Sequence, residues 1–144
     1  MATEITAFDN IRHREQVIQL WELVFDYETA HNAPASVIDA KVAVADGLFF
    51  VAINGNTVLG TVMGGYDGHR GWIYSLAVHP DHRKQGIGSR LLAFAEEHLT
   101  SRGCVKINLQ IMEDNRQVQQ FYEASGYSVE QRISMGKRLL ENSL

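Results

Sequence analysis

The sequence predicts an α+β fold in which helices cover both faces of a central mixed, mostly antiparallel sheet. Two turn dipeptides, Asn54-Gly55 and Asp67-Gly68, connect three successive apolar segments and indicate two hairpins. Amphipathic segments precede these hairpins, and alternating strand and helix patterns follow them. The chain has 144 residues, which is enough to bury a substantial core, and we expect a single domain over residues 1–144.

The helix predictions rest on apolar residues that recur at intervals of three and four. His13 to Tyr27 (HREQVIQLWELVFDY) has such a stripe and is predicted as the first helix. A shorter second helix is predicted from a cap at Ser36 to about Ala45, after the break NAPAS. The third runs from Gly86 to Gly103 and the fourth from Asn115 to Gly126, because glycine is typical just beyond a helix end.

The strand predictions rest on short apolar runs between turn residues. Residues 47–53, 57–66 and 72–78 are the three segments of the hairpins. Residues 105–112 (VKINLQIM) follow the third helix, and a final strand region is predicted over residues 127–140. A further strand near the N-terminus is left open. Hairpins followed by strand–helix–strand units require both antiparallel and parallel pairing.

Composition and charge restrict the class of protein. The apolar fraction of 45% and the charged fraction of 21% are typical of globular proteins, and no apolar run approaches the ~20 residues of a membrane span. A net charge of −4 disfavours nucleic acid as a partner, since phosphate neutralisation requires a basic surface. The single cysteine, Cys104, leaves no internal disulfide, and MATEITAFDN lacks a signal-peptide pattern. We therefore expect a cytoplasmic protein that binds neither membrane nor nucleic acid.

The stretch RKQGIGSRLL, residues 83–92, places a glycine pair between a predicted strand and a predicted helix. Glycines let a backbone approach a ligand closely, and the free N–H groups of a first helical turn attract anions. Arg83, Lys84 and the Ser89 hydroxyl add charge and hydrogen bonds, so we expect a cradle for a phosphate-bearing ligand. The alternative interpretation is a turn that only starts a helix. A Walker loop does not match, and a dinucleotide fingerprint fails because Leu91 replaces its third glycine.

Two segments resemble the motifs of one family. LAVHPDHRKQGIGSRLL resembles the core motif of the GNAT superfamily of acetyl-CoA-dependent N-acetyltransferases, and NRQVQQFYEASGY resembles its second motif. The order of elements is similar too, so the resemblance extends over nearly the whole chain. TVMGGYDGHRG further resembles a bacterial subgroup labelled YpeA-type. The resemblance implies a GNAT fold, in which the central strands splay apart, and an acyltransferase with acetyl-CoA as co-substrate.

The resemblance also implies a coenzyme A site on the third hairpin strand, the turn after it and the following helix. The cradle would hold the pyrophosphate, and the end of the strand would pair with the pantetheine arm. The residues implied are Leu76, Ala77, Val78, Arg83, Lys84, Gln85, Gly86, Ile87, Gly88 and Ser89. The Val78 N–H would stabilise the oxyanion of the tetrahedral intermediate. Asn115 would contact the pantetheine, and a helix N-cap is its alternative role.

Tyr122 is the general acid that the resemblance implies, with a core aromatic side chain as the alternative. With a thiol pKa of ~8.5 and a phenol pKa of ~10, proton transfer from the phenol to the departing thiolate has only a small free-energy cost. The general base stays unassigned, because Gln110 and Trp72 stand where two kinds of relative have a glutamate. The alternatives are Glu113, Asp114 and a water held by Tyr74, Ser75 or backbone carbonyls.

The acceptor implied by the resemblance is a primary amine, either of a small molecule or of a protein N-terminus or lysine. Tyr27, Glu28 and His31 are candidate acceptor-binding residues, since the first two helices and their linker build the acceptor pocket in this family. Trp21 is expected in the core. Homodimers are common in the family, so a homodimer is an open expectation. The six histidines have no metal-ligand spacing, and no metal is expected.

The leading hypothesis is therefore acetyl transfer from acetyl-CoA to an amine, by direct attack in a ternary complex. The alternative is a non-catalytic acyl-CoA-binding sensor or partner-binding module on the same fold. The missing carboxylates at Gln110 and Trp72 favour the alternative, whereas Tyr122 and Asn115 favour the enzyme. A different nucleotide-binding protein is disfavoured by the failed fingerprints.

Overall fold

The computed structural model describes residues 2–25 and 33–140. It divides into two compact units, Met1–Leu109 and Gln110–Leu144. The strands of the first unit are β1 Glu4–Ala7, β2 Phe49–Asn54, β3 Thr57–Tyr66, β4 Gly71–Val78 and β5 Ile107–Asn108. Its helices are α1 Arg14–Val24, α2 Pro34–Val44 and α3 Ile87–Ser101, with a short 3₁₀ turn at Pro80–His82. The second unit contains α4 Arg116–Ala124.

The sheet of the first unit has the order β1-β2-β3-β4-β5. The first four strands pair antiparallel, and β5 pairs parallel with β4. The three hairpin strands lie where the sequence predicts them, and the open N-terminal strand is β1, whose Glu4 pairs with Ile53 of β2. The predicted mixed, mostly antiparallel sheet is confirmed.

Helices cover both faces of this sheet, as predicted. The alternation of side chains along β3 separates the faces, since Met63 belongs to the core cluster of α1 and α2, whereas a Cβ on Gly64 would point at Leu99 of α3. The core of the α1–α2 face comprises Val17, Leu20, Trp21, Ile38, Phe49, Val51, Val58, Met63 and Ala77. Trp21 is 1% exposed, which confirms its predicted place in the core. No helix in residues 2–25 and 33–140 is long and apolar enough to cross a membrane.

The start of α2 differs from the prediction. The helix begins at Pro34, after Ala33 as N-cap, and Ser36 lies inside it. Proline suits a first helical position, because its fixed φ is helical and its missing N–H would have no intrahelical partner there. The α1 helix ends at Val24, before the predicted end at Tyr27, because the backbone of its C-cap Phe25 is extended.

The two C-terminal strand predictions differ most from the structure. β5 has only Ile107 and Asn108, because β4 offers it only Gly71 and Trp72 as partners. The prediction of a final strand over residues 127–140 is wrong, since no strand forms in this segment of the described chain. Its apolar side chains are exposed, including Val129, Ile133 and Met135, so they lack the half-buried surface that stabilises a strand.

Candidate functional site

The centre of the first unit's site is a bulge in β4. Thr61 pairs with Ala77 and Met63 pairs with Tyr74, so two residues of β4 stand opposite one residue of β3. Ser75, in this bulge, has a φ of 54°, which is uncommon for a residue other than glycine.

A buried hydrogen-bond chain holds the bulge in place. The Trp21 indole N–H donates to the Thr61 hydroxyl at 2.8 Å, and that hydroxyl donates to the Ser75 carbonyl at 2.8 Å. Thr61 is 0% exposed, so water does not compete for these bonds. The α1 helix is thereby connected to the distorted segment of β4.

One edge of β4 is left without a strand partner in the described part of the first unit. Pairing with β5 covers Gly71 and Trp72 only, which agrees with the predicted splay. On the β3 side, the His79 N–H donates to the Leu59 carbonyl oxygen at 2.8 Å. Because antiparallel ladders alternate, the N–H of Val78 points to the opposite edge, away from β3. Ala77 pairs with Thr61, and its side chain is buried.

A tight turn follows β4 and leads into α3. The His79 ring accepts a hydrogen bond from the Asp81 N–H, and the Arg83 side chain donates to the Val78 carbonyl at 3.3 Å. Lys84 and Gly86 have φ values of 63° and 78°, so the backbone is in the left-handed region at both positions. Glycine adopts this region without penalty, and Gly86 is the N-cap of the helix.

The first turn of α3 presents free backbone donors. The Arg90 N–H is bonded to the Gly86 carbonyl at 3.0 Å, so the N–H groups of the preceding Ile87, Gly88 and Ser89 come before the intrahelical ladder. This turn contains no acidic residue. Arg83, Lys84, Gln85 and Ser89 are exposed around it. Amide donors, the helix dipole and nearby cations together bind anions such as phosphate groups.

The second unit carries the other two predicted functional residues. The Asn115 side chain accepts from the Val118 N–H at 3.2 Å, so its helix N-cap role is confirmed. Tyr122 is 8% exposed, with its ring centroid 5.1 Å from Phe121 and 5.5 Å from Tyr127. Burial raises the pKa of the Tyr122 phenol to about 12, because a phenolate is poorly solvated there. Tyr122 therefore keeps its proton throughout the physiological range.

Of the remaining predicted residues, Gln110 and Trp72 are described, and neither is a general base. The three acceptor candidates Tyr27, Glu28 and His31 lie outside the described residues. Gln110 donates to the Ser134 hydroxyl at 2.6 Å within the second unit, and the Trp72 indole lies 3.4 Å from an oxygen of Asp67. Neither contact creates a proton acceptor of the kind a glutamate provides.

Three residues that the sequence did not single out lie beside Tyr74 or Ser75 of β4. Lys41 is buried, with its Nζ 2.8 Å from Asp46. Thr61 holds the bulge, and Gly65 lies directly beside the Tyr74 hydroxyl. The glycine pair in TVMGGY was a visible signal for Gly65, whereas a threonine in an apolar strand gives no such signal.

Cys104 is buried, and its Sγ lies 3.3 Å from the Lys106 carbonyl oxygen. Within residues 2–25 and 33–140, no group of three or more histidine, cysteine, aspartate or glutamate side chains is arranged to hold a metal ion.

Comparisons with known proteins agree with this architecture. The sequence model of the acetyltransferase (GNAT) family matches residues 14–127. The structure is similar to the PaiA N-acetyltransferase from Thermoplasma acidophilum in complex with coenzyme A, at a TM-score of 0.78 and 19% identity, covering 92% of this chain and 94% of that one. Glucosamine-6-phosphate N-acetyltransferase from Arabidopsis thaliana is similar at a TM-score of 0.70 and 21% identity, covering 96% and 99%. A GCN5-related N-acetyltransferase from Ralstonia eutropha JMP134 has a TM-score of 0.67 and 27% identity, covering 94% and 99%.

Proposed function

The chain belongs to the acetyltransferase (GNAT) family, and from this premise we propose that it transfers an acetyl group from acetyl-CoA to a primary amine. The proposal takes the two compact units as parts of one catalytic domain. It also places the chain in the YpeA-type subgroup, on the likeness of TVMGGYDGHRG alone.

The observation that carries the proposal is the junction of β4 and α3. An unpaired strand edge with the Val78 N–H on it leads, within a few residues, to a helix N-terminus opened by Gly86 at φ 78°. Coenzyme A has a peptide-like arm that ends in a pyrophosphate. The strand edge suits the amides of the arm, and the helix N-terminus suits the phosphates. The exposed Arg83 and Lys84 add charge-assisted hydrogen bonds.

The proposed chemistry is a direct attack in a ternary complex. The neutral amine nitrogen forms a bond to the thioester carbonyl carbon, and the Val78 N–H stabilises the resulting oxyanion. The carbon–sulfur bond then breaks, and Tyr122 gives its proton to the thiolate. The amine's excess proton goes to solvent through a base that we leave unassigned, and solvent reprotonates Tyr122.

The buried environment of Tyr122 sets the cost of that proton transfer. Against a thiol pKa of ~8.5, a phenol pKa of about 12 makes complete transfer unfavourable by about 5 kcal/mol in the resting protein. Transfer concerted with carbon–sulfur cleavage avoids a free thiolate, and a proton that reaches Tyr122 from solvent in the same step avoids a free phenolate. We therefore propose that Tyr122 acts within the transition state and is reprotonated at once.

The acceptor side completes the proposal. The acceptor is a primary amine of a small molecule, a protein N-terminus or a lysine, and Tyr27, Glu28 and His31 stay candidates for binding it. The Oδ1 of Asn115 accepts from the Val118 N–H, so Asn115 contacts the pantetheine through its side-chain NH2 group. A homodimer in the cytoplasm is the proposed form.

Calorimetry with two matched glycine variants tests the donor site. Gly86 and Gly68 both have positive φ, at 78° and 91°, and a Cβ would meet no atom within 4 Å at either position. Alanine at either site is therefore strained by about 1–2 kcal/mol. We expect Gly86→Ala, and not Gly68→Ala, to weaken coenzyme A binding. Equal affinities in both variants would contradict the cradle, and tighter binding of NAD or ATP than of coenzyme A would contradict the ligand.

Turnover separates an enzyme from a sensor. Thiol release from acetyl-CoA with an amine panel is expected, and Tyr122→Phe is expected to lower kcat by about 10²–10⁴-fold, the range for general acid catalysis. Tight acetyl-CoA binding without turnover of any amine or peptide would instead identify the acyl-CoA-binding module.

A further inference from the structure

Two adjacent glycines in β3 face opposite sides of the sheet and have different surroundings. A Cβ on Gly64 would lie 3.7 Å from atoms of Leu48 and Leu99, which is ordinary contact. A Cβ on Gly65 would lie 2.4 Å from the hydroxyl oxygen of Tyr74 in β4. Gly65 therefore leaves the space that the Tyr74 hydroxyl uses.

A buried cation fixes the other side of the Tyr74 ring. The Lys41 Nζ lies 5.6 Å from the ring centroid, within range of a cation–π interaction. The Lys41 side chain is 7% exposed, and its ammonium is held by Asp46 and by a hydrogen bond to the Gly64 carbonyl. The buried ammonium therefore stabilises this placement of the Tyr74 ring.

Tyr74 itself is not closed off. It is 41% exposed and lies beyond the two residues of β4 that pair with β5. In the described residues of the first unit, its hydroxyl forms no hydrogen bond. Tyrosine combines an apolar ring with a polar hydroxyl and is enriched at binding surfaces, so a half-exposed Tyr74 with such a hydroxyl suits contact with a ligand.

The position of Tyr74 suits the amine substrate rather than the acetyl donor. A donor that pairs with the edge of β4 lies in the plane of the sheet, so a nucleophile approaches its carbonyl from above or below that plane. On one face, α3 fills the space beside the bulge with the buried residues Ile87 and Leu91. Tyr74 lies on the opposite face, directly before Ser75 of the bulge.

We propose that Tyr74 contacts the acceptor amine substrate, its hydroxyl forming a hydrogen bond with a polar N–H or O–H group of that substrate, and that Gly65 positions it. This inference rests on the proposed function and adds a specificity residue to it. The acceptor substrate is therefore an amine with at least one N–H or O–H group that can donate a hydrogen bond to the Tyr74 hydroxyl oxygen.

Four variants test the assignment in steady-state kinetics. Tyr74→Phe is expected to raise the KM of the amine about 3–10-fold, the loss of one hydrogen bond, with the KM of acetyl-CoA unchanged. Gly65→Ala is expected to raise the amine KM similarly, because the new methyl group displaces the hydroxyl. Gly64→Ala is the matched control and is expected to keep both KM values.

The double variant Gly65→Ala/Tyr74→Phe tests positioning. Without the hydroxyl, the nearest Tyr74 ring atom would be 3.5 Å from the added methyl, so Gly65→Ala is expected to have no further effect. An additive loss would overturn the positioning role of Gly65. Thermal unfolding of all four variants shows whether each is folded. We expect all four to fold, since the half-exposed Tyr74 ring can move away from a methyl group at position 65.

The outcomes for the two proposals are distinguishable. If the wild type turns over an amine and Tyr74→Phe leaves the amine KM unchanged, the assignment of Tyr74 is wrong and the acetyltransferase proposal stands. If the wild type binds acetyl-CoA and turns over no amine, both proposals are overturned.

Discussion

Thr61→Val is the perturbation that tests most sharply how the fold holds the bulge of β4. Valine keeps the size and β-branched shape of threonine and removes the hydroxyl. Two hydrogen bonds of 2.8 Å are lost, one from the Trp21 indole and one to the Ser75 carbonyl. Each leaves a group without its partner in a site where Thr61 is 0% exposed.

The magnitude follows from these two groups. A buried donor or acceptor without a partner costs about 1–3 kcal/mol, and the added methyl group recovers part of this by apolar burial. We expect a net loss of about 2–4 kcal/mol in the free energy of unfolding. For a chain of this size, about 3 kcal/mol corresponds to a decrease in Tm of about 6–12 °C.

Urea denaturation and thermal scans of Thr61→Val against Thr57→Val provide the assay. Thr57 is an exposed threonine at the start of the same strand, so its variant has the same change in β propensity without the buried hydrogen bonds. A Thr61→Val loss below about 0.5 kcal/mol, equal to that of Thr57→Val, would refute the role of this chain of bonds. If the bulge positions the acetyl donor, kcat/KM falls in Thr61→Val and not in Thr57→Val.

Three further expectations concern pH and the donor site. Burial lowers the pKa of the His13 imidazole from 6.5, so below about pH 6.5 the unfolded chain takes up this proton before the folded chain does, and the free energy of unfolding decreases. His13→Asn is expected to flatten this decrease, measured by unfolding at a series of pH values. The exposed control His69→Asn is expected to leave it unchanged. The pKa of Tyr122 is raised to about 12, so kcat is expected to show no alkaline decrease from this group up to pH 10. If kcat instead fell to half its maximum near pH 10, and Tyr122→Phe removed this decrease, the buried state of Tyr122 would be contradicted. Stability should fall above pH ~10 by up to about 3 kcal/mol near pH 12 in the wild type and less in Tyr122→Phe, as alkaline unfolding would measure.

The sequence predicts the elements whose signals are local. The hairpins over β2, β3 and β4 follow from Asn54-Gly55 and Asp67-Gly68, since these dipeptides suit tight turns wherever they occur. The start of α3 follows from Gly86 and the change of apolar period after it. Asn115 at the start of α4 is an equally local signal, because capping involves only its own helix.

The parts that the sequence does not predict depend on distant contacts. Residues 127–140 alternate in the manner of a strand, but strand formation requires a partner that this segment does not find in the described chain. The Ser75 carbonyl in the bulge accepts a hydrogen bond from the Thr61 hydroxyl, which is 14 residues away in sequence. The contact of Gly65 with Tyr74 likewise depends on the register between β3 and β4, which the residue types alone do not determine.

The central claim is that this chain transfers acetyl groups from acetyl-CoA to an amine. The most direct measurement is an acetyl-CoA turnover screen across small amines, polyamines and peptides, followed by mass analysis of the products. We expect release of free coenzyme A together with one amine class that gains the mass of an acetyl group, and little of either in Tyr122→Phe. Tight acetyl-CoA binding with no acetylated product from any class would contradict the claim.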